Sequence, residues 1–259
     1  MRIWYQHSMG KYRGYEVYDG ILKSYIDGIT SGDVKVDHYW LPEGMGGELS
    51  YACVRKLNEP YIVSSAIKAE KEGYDGFVLG CYLDPALHAV REAANIPAVS
   101  LGLASMVMVS LLNVKFAIIT SPRRAAARIH QQIKMYGFEG LNPIVKGLDF
   151  DVATVVEALE RPEILLEGFE SASEEAVREG ARVIIPGCGI LEAVCIKERL
   201  WEISGVPILS SIASSIKLVE ALIKLKTAGL KLDRKLYCPP PKKILEDVRR
   251  AYESYGVEV

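Results

Sequence analysis

Two cysteines stand in matched settings about a hundred residues apart. Cys81 ends the apolar run of "GFVLGCYLDPAL" (residues 76–87), and Cys188 ends that of "RVIIPGCGILEAV" (residues 182–194). In both segments a glycine precedes the cysteine, a strand-like stretch stops there, and a helical pattern begins. A thiol placed ahead of a helix meets unsatisfied amides and the positive end of the helix dipole. Both favour thiolate, so each pKa is expected below its free value of about 8.5. Two such thiols on opposite sides of a ligand supply a base and an acid. Inverting a carbon centre needs that pair, because one proton leaves one face and another arrives on the other.

The elements that must position these thiols are legible as an alternation. Strand-like runs "RIWYQ", "VKVDHYW", "GFVLG", "IPAVS", "KFAIIT", "ARVIIPG" and "VPILS" are interleaved with amphipathic stretches at 60–72, 84–94, 123–136, 163–179 and 191–203. This predicts parallel strands joined by crossover helices, an α/β fold with its sites at the carboxyl ends of the strands. The two halves also align without gaps: 73–81 over 180–188, 96–105 over 206–215, and 2–8 over 115–121. Three pairs in one order predict an internal duplication. The expected architecture is two pseudo-symmetric lobes, each a parallel sheet flanked by helices, with the active site in the cleft between them. Beyond Ile212, two helices are expected around a proline-rich turn.

Composition narrows the partners. The 259 residues are 49% hydrophobic and 25% charged, and 31 basic against 33 acidic side chains give a net charge of −2. No basic stripe or charge block points to nucleic acid or a membrane surface, which leaves a small-molecule substrate or another protein chain. Residues 1–17 lack the apolar run and cleavage pattern of a secretory signal. The apolar stretch 96–120 is broken by Pro97, Gly102 and Lys115, so strand, helix and strand is expected there in place of a membrane span. A cytoplasmic protein is expected. Five scattered cysteines (Cys53, Cys81, Cys188, Cys195 and Cys238), none in a Cys-x-x-Cys pair, read as reduced thiols.

The chain resembles the aspartate/glutamate/hydantoin racemase superfamily, and within it the hydantoin and allantoin racemase branch. The likeness is carried by "GYDGFVLGCYLDPALHAVREAANIPAVSLG", "VIIPGCGILEA", "VPILSSIASSIKLVEAL" and "KLYCPPPKK", and it covers nearly the whole chain. It implies a cofactor-independent racemase in which Cys81 and Cys188 are the acid/base pair. It further implies that the C-terminal segment returns to the first lobe, giving lobes of 1–112 with 212–259, and 113–211, and it allows a homo-oligomer. Substrate-binding roles carry over to Gln6 and Ser8, to Thr120 and Ser121, and to the amides at Tyr82 and Gly189, which would hold developing oxyanion charge. Amino-acid racemases of the superfamily follow their cysteines with Asn-Thr and Thr, whereas Tyr82-Leu83 and Gly189-Ile190 follow here. Free aspartate or glutamate is therefore disfavoured as substrate. Gln6-His7-Ser8 also replaces the Asn-Pro-Asn-Thr-like loop of the hydantoin branch. A maleate-isomerase-like or arylmalonate-decarboxylase-like enzyme, and a two-lobed binder without catalysis, are the competing readings.

Other reactive residue types have plainer expectations. Cys53, Cys195 and Cys238 read as small core residues, and no histidine cluster accompanies Cys188 and Cys195 to make a metal site. Asp84 before Pro85 reads as the N-cap of the following helix. Glu192 reads as an early-turn carboxylate suited to the dipole of its own helix. His88 is expected to be solvated or packed, and His7, at a strand end, to border the cleft. "EGMGGEL" (residues 43–49) lacks a phosphate-cradle pattern and reads as a loop bordering the cleft. "SPRRAAAR" (residues 121–128) reads as a solvated charged face.

Overall fold

The computed structural model describes residues 1–257 except 13, 233, 238 and 255, with the side chains of 234, 242 and 249 left aside. Cys238 therefore lies outside the described residues. The first half contains β1 (Arg2–Gly10), α1 (Tyr15–Ile29), β2 (Lys35–Leu41), α2 (Ala52–Lys71), β3 (Gly76–Gly80), α3 (Leu87–Ala93), β4 (Ala98–Ser100) and α4 (Leu101–Ser110). There follow β5 (Ala117–Thr120), α5 (Ala125–Tyr136), β6 (Ile144–Gly147), α6 (Val152–Glu157), α7 (Glu163–Arg178), β7 (Ile184–Pro186) and α8 (Gly189–Lys197). A short hairpin of β8 (Glu202–Ile203) and β9 (Val206–Pro207) leads to α9 (Ser211–Thr227) and α10 (Lys242–Ser254).

Two parallel sheets result, ordered β2-β1-β3-β4 and β6-β5-β7. Every residue of β1 after Arg2 is buried, as suits a central parallel strand covered on both faces. The aligned segments occupy equivalent rungs. Trp4 pairs with Phe77 and Phe77 with Ala98; their counterparts Ala117, Ile184 and Ile208 pair in the same order. One apolar cluster joins the halves, running from Ile3, Tyr5 and Val78 to Ile118, Ile185 and Leu191. A second lies on the other face of the first sheet, around Trp4, Phe77, Leu79 and Ile62. α9 packs against α4, β3 and β4.

Several boundaries differ from the periodicity reading. α2 begins at Ala52 and runs through Pro60. Its first half, "ACVRKLNE", is largely exposed or half-buried and so shows little apolar period. α1 and the edge strand β6 also go unseen by that reading. α8 stops at Lys197 because Arg199 adopts a left-handed conformation (φ 54°), and the Ser204-Gly205 turn, at φ 50° and 74°, builds a hairpin where helix was expected. Among the described residues no helix is long and apolar enough to cross a membrane.

Candidate active site

Gly80 and Gly187 explain how each strand delivers its cysteine. A Cβ on Gly80 would lie 2.5 Å from Cε1 of Tyr5, and one on Gly187 would lie 2.8 Å from Cγ2 of Ile118. Only glycine lets β3 and β7 lie this close to side chains of the neighbouring strands β1 and β5. The Thr120 hydroxyl donates to the Gly187 carbonyl at 2.8 Å and pins the turn that carries Cys188.

Cys81 and Cys188 line the same cavity, which encloses about 630 Å³ including its mouth. Ser8, Tyr82, Thr120, Ser121 and Gly189 line it too, as do His7 and the loop residues Gly47 and Leu49. Gln6 does not. Its side-chain amide donates to the carbonyls of His7 and Tyr39 and accepts from the Trp4 indole, so the strand pleat turns it away from the cleft. Tyr82 directs its ring to the interior, where its hydroxyl accepts from Ser105, and Ser121 donates to the Phe150 carbonyl at 2.6 Å. Arg123 and Arg124 stay outside, paired with Asp149 and Glu48. None of the described lining residues is Asp, Glu, Lys or Arg; Met9, Leu83, Val152 and Ile190 supply apolar wall.

The thiols depart from the expectation of lowered pKa. Burial pushes Cys81 up to about 12, against hydrogen bonds from the Ser8 hydroxyl and the Leu83 amide. Burial likewise raises Cys188, although the amides of Leu191 and Ile190 in the first turn of α8 favour its thiolate. Desolvation outweighs the helix end because the cavity walls remove water from both sulfurs. The helix end is also absent at Cys81, since α3 starts only at Leu87 and is capped by Ala86. Cys188, by contrast, is the N-cap of α8.

Asp84 and Glu192 are both corrected. Asp84 sits at φ 49°, caps no helix of its own, and accepts from the amides of Gly102 (3.1 Å) and Leu103 (3.0 Å) at the start of α4 and from Tyr136 (2.9 Å). Glu192 ignores the dipole of α8 and accepts from the Ser211 and Ile212 amides, both at 3.1 Å, and from the Ser210 and Ser211 hydroxyls at the start of α9. Each cysteine-bearing segment is thus tied by a buried carboxyl to the start of a later helix, α4 for Cys81 and α9 for Cys188. Burial raises Asp84 to about 6 and Glu192 to about 7 despite these donors. Cys53 is exposed on α2 and not a core residue, whereas Cys195 is buried. His88 is exposed.

Two features lay beyond the sequence reading. Tyr18 lines the cavity from α1, and its spacing with Leu22 and Ile26 was the available signal. The other is a group of His7, Asp19 and His38, the described residues with metal-ligand potential, whose donor atoms lie within 4.8 Å of one another. Burial lowers both imidazoles, His38 to about 4. Burial opposes ionisation of Asp19, but the nearby His7 imidazole, the Lys23 hydrogen bond and the charges of His38 and Lys23 hold its carboxyl well below the usual range.

Residues 50–219, a span that holds both cysteines and both buried carboxyls, match the family model of Asp/Glu/hydantoin racemases. The chain belongs to that family. It is accordingly an isomerase of the racemase type. The hydantoin racemase of Rhizobium meliloti is 29% identical over 182 residues, 70% of this chain and 73% of that protein. That of Pseudomonas sp. (strain NS671) is 29% identical over 202 residues, 77% of each. In fold the chain is similar to the allantoin racemase from Klebsiella pneumoniae, with a TM-score of 0.70 at 19% identity over 90% of this chain and 92% of that one.

Proposed function

We propose that this racemase inverts the carbon next to a carbonyl in a neutral, hydantoin-like ring, using Cys81 and Cys188 as a two-base pair without a cofactor. The observation that carries the reading is one cavity that is lined by both cysteines and has no formally charged side chain among its described lining residues. Burying a free amino acid or a dicarboxylate without charged partners is costly. A ring diamide needs only hydrogen bonds. The hydroxyls of Ser8, Thr120 and Ser121, whose protons go to Cys81, Gly187 and Phe150, would accept from its N–H groups, and the amides at Tyr82 and Gly189 would donate to its carbonyls. Met9, Leu83, Val152 and Ile190 suit an apolar ring substituent. The names of the curated relatives support the same class.

In the scheme, one cysteine as thiolate takes the proton from the ring carbon, and the C–H electron pair passes into the adjacent carbonyl to give an enolate. The other cysteine, as thiol, returns a proton to the opposite face, and the two sulfurs have exchanged protonation states. The raised pKa values make thiolate scarce but strongly basic, which suits a weak carbon acid. Proton NMR in deuterium oxide, with chiral 5-substituted hydantoins, allantoin and free amino acids against a no-enzyme control, tests the substrate class. Loss of the α-proton signal is expected fastest for apolar-substituted hydantoins. Exchange confined to free amino acids would overturn the assignment.

A further inference from the structure

We infer that His7, Asp19 and His38 form a binding site for a divalent transition-metal ion, of the zinc and cobalt class that takes imidazole and carboxylate ligands. The three residues come from β1, α1 and β2 and meet only in the fold. Nε2 of His7 lies 3.7 Å from Oδ1 of Asp19, and Nδ1 of His38 lies 3.0 Å from the same oxygen. All three donor atoms fall within 4.8 Å of one another. Bonds of about 2.0–2.2 Å in a tetrahedral site set donor atoms roughly 3.3–3.6 Å apart, a spacing the two measured separations bracket.

A second observation is independent of that convergence. The His7 side chain is 2% exposed, and its Nε2, aimed at Asp19, has no hydrogen-bond partner among the described residues. A gap of 3.7 Å is too long for a hydrogen bond, and buried polar atoms are normally satisfied. A metal ion bridging Nε2 and Oδ1 gives Nε2 its missing partner and takes the place of the hydrogen bond that Oδ1 shares with Nδ1 of His38 at 3.0 Å.

The surroundings hold the ligands in place. The His7 ring stacks on Trp40 with centroids 3.7 Å apart and planes at 12°, and the His38 ring stacks on Tyr5 at 5.0 Å and 23°. Lys23 binds the other carboxylate oxygen of Asp19 at 2.6 Å, orienting Oδ1 toward the histidines as an outer-shell partner does. Its charge weakens cation affinity, so binding is expected in the micromolar range. Two nitrogens and one oxygen favour zinc, cobalt or nickel over magnesium or calcium. Of the three, His7 lines the cavity that holds the cysteines, so the site adjoins the cavity through that residue.

Cobalt(II) titration of the full chain tests this, with a Cys81→Ser/Cys188→Ser double variant included because thiolates are the rival ligands. One cobalt per chain is expected in both proteins, displaceable by zinc and without a near-ultraviolet thiolate-to-cobalt band. Asp19→Asn and His38→Ala are expected to lower affinity at least about tenfold. Circular dichroism and melting confirm that each variant is folded; where one is not, quenching of Trp40 fluorescence by cobalt in the double variant serves as the independent readout. Absence of stoichiometric binding, binding unchanged in both ligand variants, no quenching, or binding that vanishes with the thiols would overturn the site.

Discussion

Replacing Glu192 by glutamine probes how the buried carboxyl behind Cys188 shapes the response to pH. Glu192 is 2% exposed, and burial raises its pKa from 4.5 to about 7. Between those values the native state binds more protons than the unfolded chain. Its contribution to stability is therefore fully present below pH 4.5 and is lost as pH rises through 7. The whole change is worth about 3 kcal/mol, of which about 2–3 kcal/mol falls between pH 5 and 8. Asp84, raised to about 6 by burial, acts in the same sense, and His38, lowered to about 4, in the opposite one. Subtracting the variant from the wild type cancels both. Urea unfolding at several pH values from 5 to 8 gives each stability by linear extrapolation. Glutamine also faces the Ser211 and Ile212 amides with fewer acceptor sites, which lowers the variant by a constant offset. The wild-type advantage should shrink by about 2–3 kcal/mol from pH 5 to pH 8. An advantage that stays constant across the range refutes the raised native pKa.

Packing and thiol chemistry give two further tests. Gly80→Ala puts a methyl against the buried Tyr5 ring and should cost about 1–3 kcal/mol, whereas Gly20→Ala, in helix α1 with nothing within 4 Å, should add about 0.5–1 kcal/mol; urea denaturation compares them, and equal effects would contradict the packing account. With the Cys81 thiol pushed up to about 12 by burial, its alkylation by iodoacetamide, followed by peptide mass spectrometry, should climb roughly tenfold per pH unit from pH 7 to 10. A plateau below pH 9 would mean that the hydrogen bonds from the Ser8 hydroxyl and the Leu83 amide outweigh desolvation.

The placement of the two cysteines was legible where it depends on local pattern. Gly80-Cys81 and Gly187-Cys188 mark strand ends because apolar runs stop there, and the half-to-half alignment anticipates the pairing of Trp4 with Phe77 and of Ala117 with Ile184. What depends on distant neighbours was hidden. Asp84 looks like a cap for the helix beside it, but its amide partners lie 18 and 19 residues onward. Thiol acidity follows from cavity walls drawn from both halves, so a helix end seen in sequence overstates its influence. Gln6 shares its strand with His7 and Ser8, yet the pleat and its bonds to Tyr39 and Trp4 take it out of the cleft. His7 and His38 are 31 positions apart and become neighbours only because β1 pairs with β2.

The two-base claim is tested most directly by α-proton exchange in deuterium oxide, starting from each pure enantiomer of an apolar 5-substituted hydantoin, with wild type, Cys81→Ser and Cys188→Ser. The account predicts that both variants lose racemisation and that each retains exchange from one enantiomer only, the opposite one in the two variants. Racemisation at the wild-type rate in either variant, or retained exchange from the same enantiomer in both, would contradict it.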